Sequence, residues 1–228
     1  MKKFLSFLLP SLFLLSACGH FQQTMPPLPQ AAEQLPVVDR LQIADDIVIG
    51  LSYRLDRWQS ESEAPDFLIE EFVHHIEHEL AEKGLVRSEE EKIAVARKRL
   101  AANELFIFRS ESGAWVSIDF SRLREGERAP DRRAVFNSAG YAAESLAGEE
   151  GVAALDYRVS AVRLPGAAYA FRLDADYLLH EEPHKFSGLI AFANPYWFYV
   201  YYNDPLTDRE DFTDIDRMLR TLQVTVNQ

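Results

Sequence analysis

Leu41, Ile43, Ile47, Ile49, Leu51 and Tyr53 all sit at odd positions, and from Ile47 to Tyr53 they recur at every second residue. A period of two places Ile47, Ile49, Leu51 and Tyr53 on one face of a half-buried strand. At Pro65 the period changes. Leu68, Phe72, Ile76 and Leu80 recur every fourth residue with Ile69 and Val73 beside them, which predicts an amphipathic helix closed by Gly84. Ser88 and Glu91 have the spacing of a capping box, so a second helix starts there. Its acids, Glu89 to Glu91, stand in the first turn and its bases, Arg97 to Arg99, near the end, as the helix dipole favours. Leu105–Arg109 and Trp115–Phe120 then predict a hairpin across Ser110–Gly113, with Val116, Ile118 and Phe120 on one side.

The second half reads as a charged loop over 122–133, a short helix over 134–146 and a meander after Gly151. Tyr157–Leu164 turns at Pro165-Gly166 into Tyr169–Leu173, and Phe186–Ala193 turns at Asn194-Pro195 into Tyr196–Tyr202. Ile215, Met218, Leu219 and Leu222 have the i, i+3, i+4, i+7 spacing of a last helix. Seven strand candidates and three or four helices, without βαβ alternation, predict an α+β domain over 37–228. Its sheet is largely antiparallel, with about six or seven strands packed by the helices.

The N-terminus belongs to a different kind of segment. Lys2 and Lys3 precede an apolar run from Phe4 to Leu15, and small residues close it. That is the layout of a secretory signal, and the run is shorter than the roughly 20 residues that cross a bilayer. The ending Leu15-Ser16-Ala17-Cys18 resembles a bacterial lipobox. The resemblance implies removal of 1–17 as a signal peptide, a diacylglycerol on the Cys18 thiol, and acylation (palmitate) of the new amino group. Residues 18–36, with Pro26, Pro27, Pro29 and Pro36, then read as a semi-rigid tether. Gly19 rather than Asp follows the cysteine, which by resemblance to enterobacterial sorting implies the outer membrane, facing the periplasm. The C-terminal third runs strand, Asn-Pro turn, aromatic strand, Asp204-Pro205, then a helix into Leu222-Gln223-Val224. In that order it resembles the closing half of the PsbP-like fold, which implies an α/β/α sandwich.

Charge narrows the partners. The chain carries −12, and without residues 1–17, which hold two lysines and no acid, −14. Such a surface repels phosphate backbones, so nucleic acid is not an expected partner. Membrane attachment falls to the acyl chains, at about 0.8 kcal/mol per buried CH₂. Cys18 is the only cysteine, so lipidation leaves no thiol for catalysis, metal or a disulfide. No cofactor is implied.

Three groups carry candidate chemistry. His74 and His78 stand one helical turn apart with Glu71 and His75 beside them, a spacing that suits Zn²⁺. They fall opposite the apolar stripe, where a solvated polar face explains the same residues. Asp174, Asp176, His180, Glu181, Glu182 and His184 gather between two strands, where a polar loop is the plain reading and a divalent-cation site the sharper one. Tyr196–Tyr202 is almost wholly aromatic. Alternation sends Tyr196, Phe198, Val200 and Tyr202 to one face and Trp197, Tyr199 and Tyr201 to the other. Were both faces covered, this is a core strand; were one open, Trp197, Tyr199 and Tyr201 are a platform for a ligand or partner. No catalytic residue is assigned. Gly50-Leu51-Ser52-Tyr53-Arg54 lacks the second glycine of a nucleophile elbow, and neither Ser-x-x-Lys nor HExxH occurs. The expectation is an envelope lipoprotein without enzymatic activity, an accessory or assembly protein engaging a protein partner. The alternatives are an inhibitor or immunity-type protein covering a basic partner, and a periplasmic metal-dependent hydrolase using His180, His184 and nearby acids.

Overall fold

The computed structural model describes residues 24–27, 39–149, 151–206 and 208–227. The expected signal peptide, Cys18 and most of the expected tether therefore lie outside the described residues. The elements run β1 (Asp39–Ala44), β2 (Ile47–Leu51), β3 (Gln59–Glu61), α1 (Asp66–Glu82), α2 (Glu89–Leu100), β4 (Leu105–Arg109) and β5 (Ala114–Arg122). They continue with α3 (Arg132–Leu146), β6 (Val152–Ala161), β7 (Tyr169–Leu179), β8 (Glu182–Ala193), β9 (Tyr196–Asp204), α4 (Arg209–Thr221) and β10 (Gln223–Val226). The fold is α+β. Its strands form two sheets rather than one, a seven-stranded sheet in the order β3-β4-β5-β9-β8-β7-β6 and a three-stranded sheet β1-β2-β10. Every pairing is antiparallel.

Period-two alternation assigns each face of the large sheet its cover. Ile107, Val116, Ile118, Leu189, Phe198, Val200 and Tyr202 point into a central core shared with Ile47 and Ile49 of β2, Val224 of β10, and Ile215 and Met218 of α4. On the other face, Phe106 and Phe108 of β4 meet Leu68, Ile76, Ala96 and Leu100 of α1 and α2. Phe171, Leu173, Ile190 and Phe192 meet Val135, Phe136 and Ala139 of α3. Two helical covers thus share one face, α1–α2 over the β4 side and α3 over β6 to β8.

Local chemistry explains the ends. Ser88 and Glu91 form the reciprocal capping box, and Gly84 takes the left-handed conformation (φ +62°) just past α1. Asp208 caps α4 by accepting from the Glu210 N–H, and Asp211 stands in the first turn of the same helix. Its fully buried carboxylate accepts from Arg57 at 2.8 Å and from Arg109 at 2.7 Å. Trp58 Nε1 donates to Asp214 at 3.0 Å. This clasp ties α4 to the β3 and β4 side. Among the described residues, no helix is long and apolar enough to cross a membrane.

Candidate functional site

Strand β9 is the middle strand of the large sheet, and its two faces have different fates. Tyr196, Phe198, Val200 and Tyr202 are buried in the central core, whereas Trp197, Tyr199 and Tyr201 are half-buried on the face with the two helical covers. They lie along the interval between those covers. Trp197 and Tyr199 lean on the α3 cluster, and Trp115 of β5 leans on the α1–α2 cluster. The Trp197 and Tyr199 ring centroids are 6.2 Å apart with planes 10° from parallel, and Tyr199 and Tyr201 follow at 6.4 Å and 27°. The register of β5 sets Ser117 opposite Tyr201, Asp119 opposite Tyr199 and Ser121 opposite Trp197. On the β8 side Gly188 faces Tyr201. A Cβ on Gly188 would stand 3.1 Å from Phe186 and 3.3 Å from the Tyr201 ring, so the bare backbone lets those two rings, 5.6 Å apart, lean across it.

Asp119 gives this floor its chemistry. It is 7% exposed. Burial pushes its carboxyl up to about 7; a hydrogen bond from the Phe120 backbone N–H opposes the shift, and the charge of Glu104 adds to it. Near neutral pH it is thus part carboxylic acid and part carboxylate. Burial also pushes the Tyr199 hydroxyl up to about 12, against a hydrogen bond with Ser121 and with a contribution from Asp119. The arrangement offers aromatic area and one carboxyl whose ionised form is favoured by any cation brought beside it.

The histidine and acid groups are placed differently from expectation. Asp174, Asp176, Glu182 and His184 are not in a loop: β7 and β8 run on to a two-residue turn made by His180 (φ +50°) and Glu181 (φ +72°). Such turns favour glycine and asparagine, so His-Glu gives no turn signal in the sequence. The strand pleat then separates the proposed ligands. Asp176 pairs across with Lys185, 2.8 Å away, while His184 pairs across with Tyr177 on the other face, ring centroids 5.7 Å apart. His180 instead meets α1, its ring 5.9 Å from His78, which lies 4.8 Å from His74. Near this contact, burial raises the pKa of Glu71. Burial lowers that of His75, with His74, His180 and His78 contributing, and burial also lowers that of His184. Among the described residues, no three of His, Cys, Asp and Glu are placed to hold a metal ion.

Sequence reasoning missed Asp119. Alternation groups Val116, Ile118 and Phe120 on one side of that strand and says nothing of what covers the other. Only the pairing of β5 with β9, which sets Asp119 opposite Tyr199 eighty residues later in the chain, brings it beside the aromatic row.

No protein-family model matches the chain, and no curated protein matches it. Among solved structures it is similar to LpqN, involved in cell envelope biogenesis of Mycobacterium tuberculosis. The TM-score is 0.45 at 15% identity, over 80% of this chain and 86% of that one. It is also similar to cyanobacterial PsbP (CyanoP) from Synechocystis sp. PCC 6803, with a TM-score of 0.49 at 10% identity, over 92% of this chain and 98% of that one. These likenesses concern backbone arrangement and assign no residue a role.

Proposed function

We propose that this protein is an envelope lipoprotein that acts by binding. It is anchored through Cys18, on the outer membrane facing the periplasm, and its aromatic strip receives a basic segment of a protein partner. The observation that carries this reading is the row Trp197, Tyr199 and Tyr201, half-buried beside Asp119 and flanked by the two helical covers. Aromatic side chains are large, rigid binding surface with little rotamer entropy to lose. Arginine or lysine from a partner would stack on the rings and pair with Asp119, and the net charge of the whole chain favours such a partner over an acidic one. An accessory or assembly role follows from attachment plus binding.

A photo-crosslinking residue in place of the exposed Ser121, beside Trp197, tests this in intact cells. The expected result is one discrete adduct with a protein carrying a basic segment. It is absent when the probe replaces Arg217 on α4, and lost when Trp197→Ala and Tyr199→Ala are added with the circular dichroism unchanged. Equal adducts from Ser121 and Arg217, or none from Ser121, would overturn the reading.

A further inference from the structure

The tether does not hang free of the domain along its whole length. Met25 packs against the cluster that α3 makes with β6 to β8, and Arg132, the first residue of α3, donates from Nη2 to the Pro26 carbonyl at 2.6 Å. The same guanidinium lies over the Phe171 ring, 5.4 Å from its centroid, so both partners of the contact are anchored in the core. The docked segment Thr24–Pro27 sits beside the most arginine-rich stretch of the chain. Residues 122–133 hold five arginines against three acids, in a chain of net charge −12. Arg122, Arg124, Arg128 and Arg133 are exposed.

We infer that Thr24–Pro27 is a strap that turns one side of the domain to the lipid surface, the side formed by the start of α3 and the 122–133 loop. This rests on the proposed lipidation of Cys18. Thr24 is six positions on from Cys18, a reach of at most about 20 Å, whereas a leash running free to Asp39 reaches about 70 Å. The short reach holds the arginines close enough to the bilayer for anionic headgroups to attract them, an interaction that fades within a Debye length. The lower end of the aromatic strip lies on this side, since Arg122 pairs with Tyr196 in the β5–β9 ladder and the Leu123 N–H donates to the Pro195 carbonyl. A partner reaching the strip from below therefore approaches at the membrane.

The lipidated full-length protein, purified from membranes and reconstituted into vesicles, tests the inference. Ala129→Cys in the loop and Arg217→Cys on α4 each supply a free thiol for a fluorophore, because Cys18 is the only native cysteine and is blocked by lipid. On phosphatidylethanolamine–phosphatidylglycerol vesicles carrying a headgroup-linked quencher, we expect several-fold stronger quenching at 129 than at 217. Met25→Glu should reduce that ratio towards one on any vesicle. Arg124→Glu with Arg128→Glu should reduce it on these vesicles and leave it unchanged on phosphatidylcholine. A protein that floats with the vesicles yet shows equal quenching at both positions overturns the strap and leaves the anchor intact. So does a ratio that survives both sets of substitutions. A protein that does not float, with the Cys18 thiol free to react, overturns the anchor and the strap together.

Discussion

Asp119 is a carboxyl held where carboxylates are expensive. Its folded-state pKa of about 7 stands well above the unfolded value. The folded state therefore binds this proton more tightly than the unfolded one. Stability from this group is fully present below the unfolded pKa and is lost as pH rises towards 7. Asp119→Asn should stabilise the protein by about 2–4 kcal/mol at pH 8 and change it little at pH 4, read from urea midpoints at the two values. The same substitution should weaken the adduct formed from Ser121. A stabilised variant with undiminished crosslinking would make Asp119 a structural oddity rather than part of the surface. At this scale the sequence was half legible. Trp197, Tyr199 and Tyr201 announce a shared face because strand period is local. The burial of Asp119 depends on a strand that pairs with its own only after the chain has gone through α3 and three further strands.

Among the elements, those with purely local causes were readable. The apolar spacing of α1, the capping box of α2 and the β4–β5 hairpin all stand where pattern and cap chemistry put them. The failures share a cause. Gln59–Glu61 and Gln223–Val226 are strands only because β4 and β2 offer them edges, and the β7–β8 hairpin turns on residues without turn chemistry. The Pro165-Gly166 turn was legible, but its importance was not. Gly166 (φ +88°) passes so close to β10 that a Cβ would lie 1.7 Å from the Val224 carbonyl oxygen, and the Val224 N–H donates to the Pro165 carbonyl at 2.9 Å. Alanine there combines a left-handed conformation with a backbone clash. Gly166→Ala should therefore cost more than about 2 kcal/mol, seen as a lowered denaturant midpoint with an unchanged slope. A neutral result would mean that β10 shifts freely.

For the molecule as a whole, the face carrying the two helical covers is closed at one end by imidazoles. His75 and His184 both have pKa values lowered by burial, so each is held neutral in the folded state. Their contribution is present above the unfolded histidine pKa and is lost as pH falls through it. Asp119 and Glu71 act in the opposite sense, so the net slope mixes the two. The imidazole part is isolated by substitution. His75→Gln should lose less stability than the parent between pH 7.5 and 5.5, measured by thermal or urea unfolding, and a steeper loss would contradict the assignment. The layered α+β plan itself was visible in the order of periods along the chain. The division into two sheets was not, since nothing in β1 or β2 says that their third partner comes from the far end.

That last pairing has a consequence for how the protein is born. β2 lies between β1 and β10, with Ile47, Ile49 and Leu51 almost wholly buried, so the smallest sheet is stitched from the earliest and the latest strands of the domain. A polypeptide that emerges from its N-terminal side, whether from a ribosome or through a translocation pore, displays β2 long before Gln223–Val226 arrives to finish it. Closure of the central core on this side waits for β10, so a strand formed early in the chain is completed only by one made about 170 residues later.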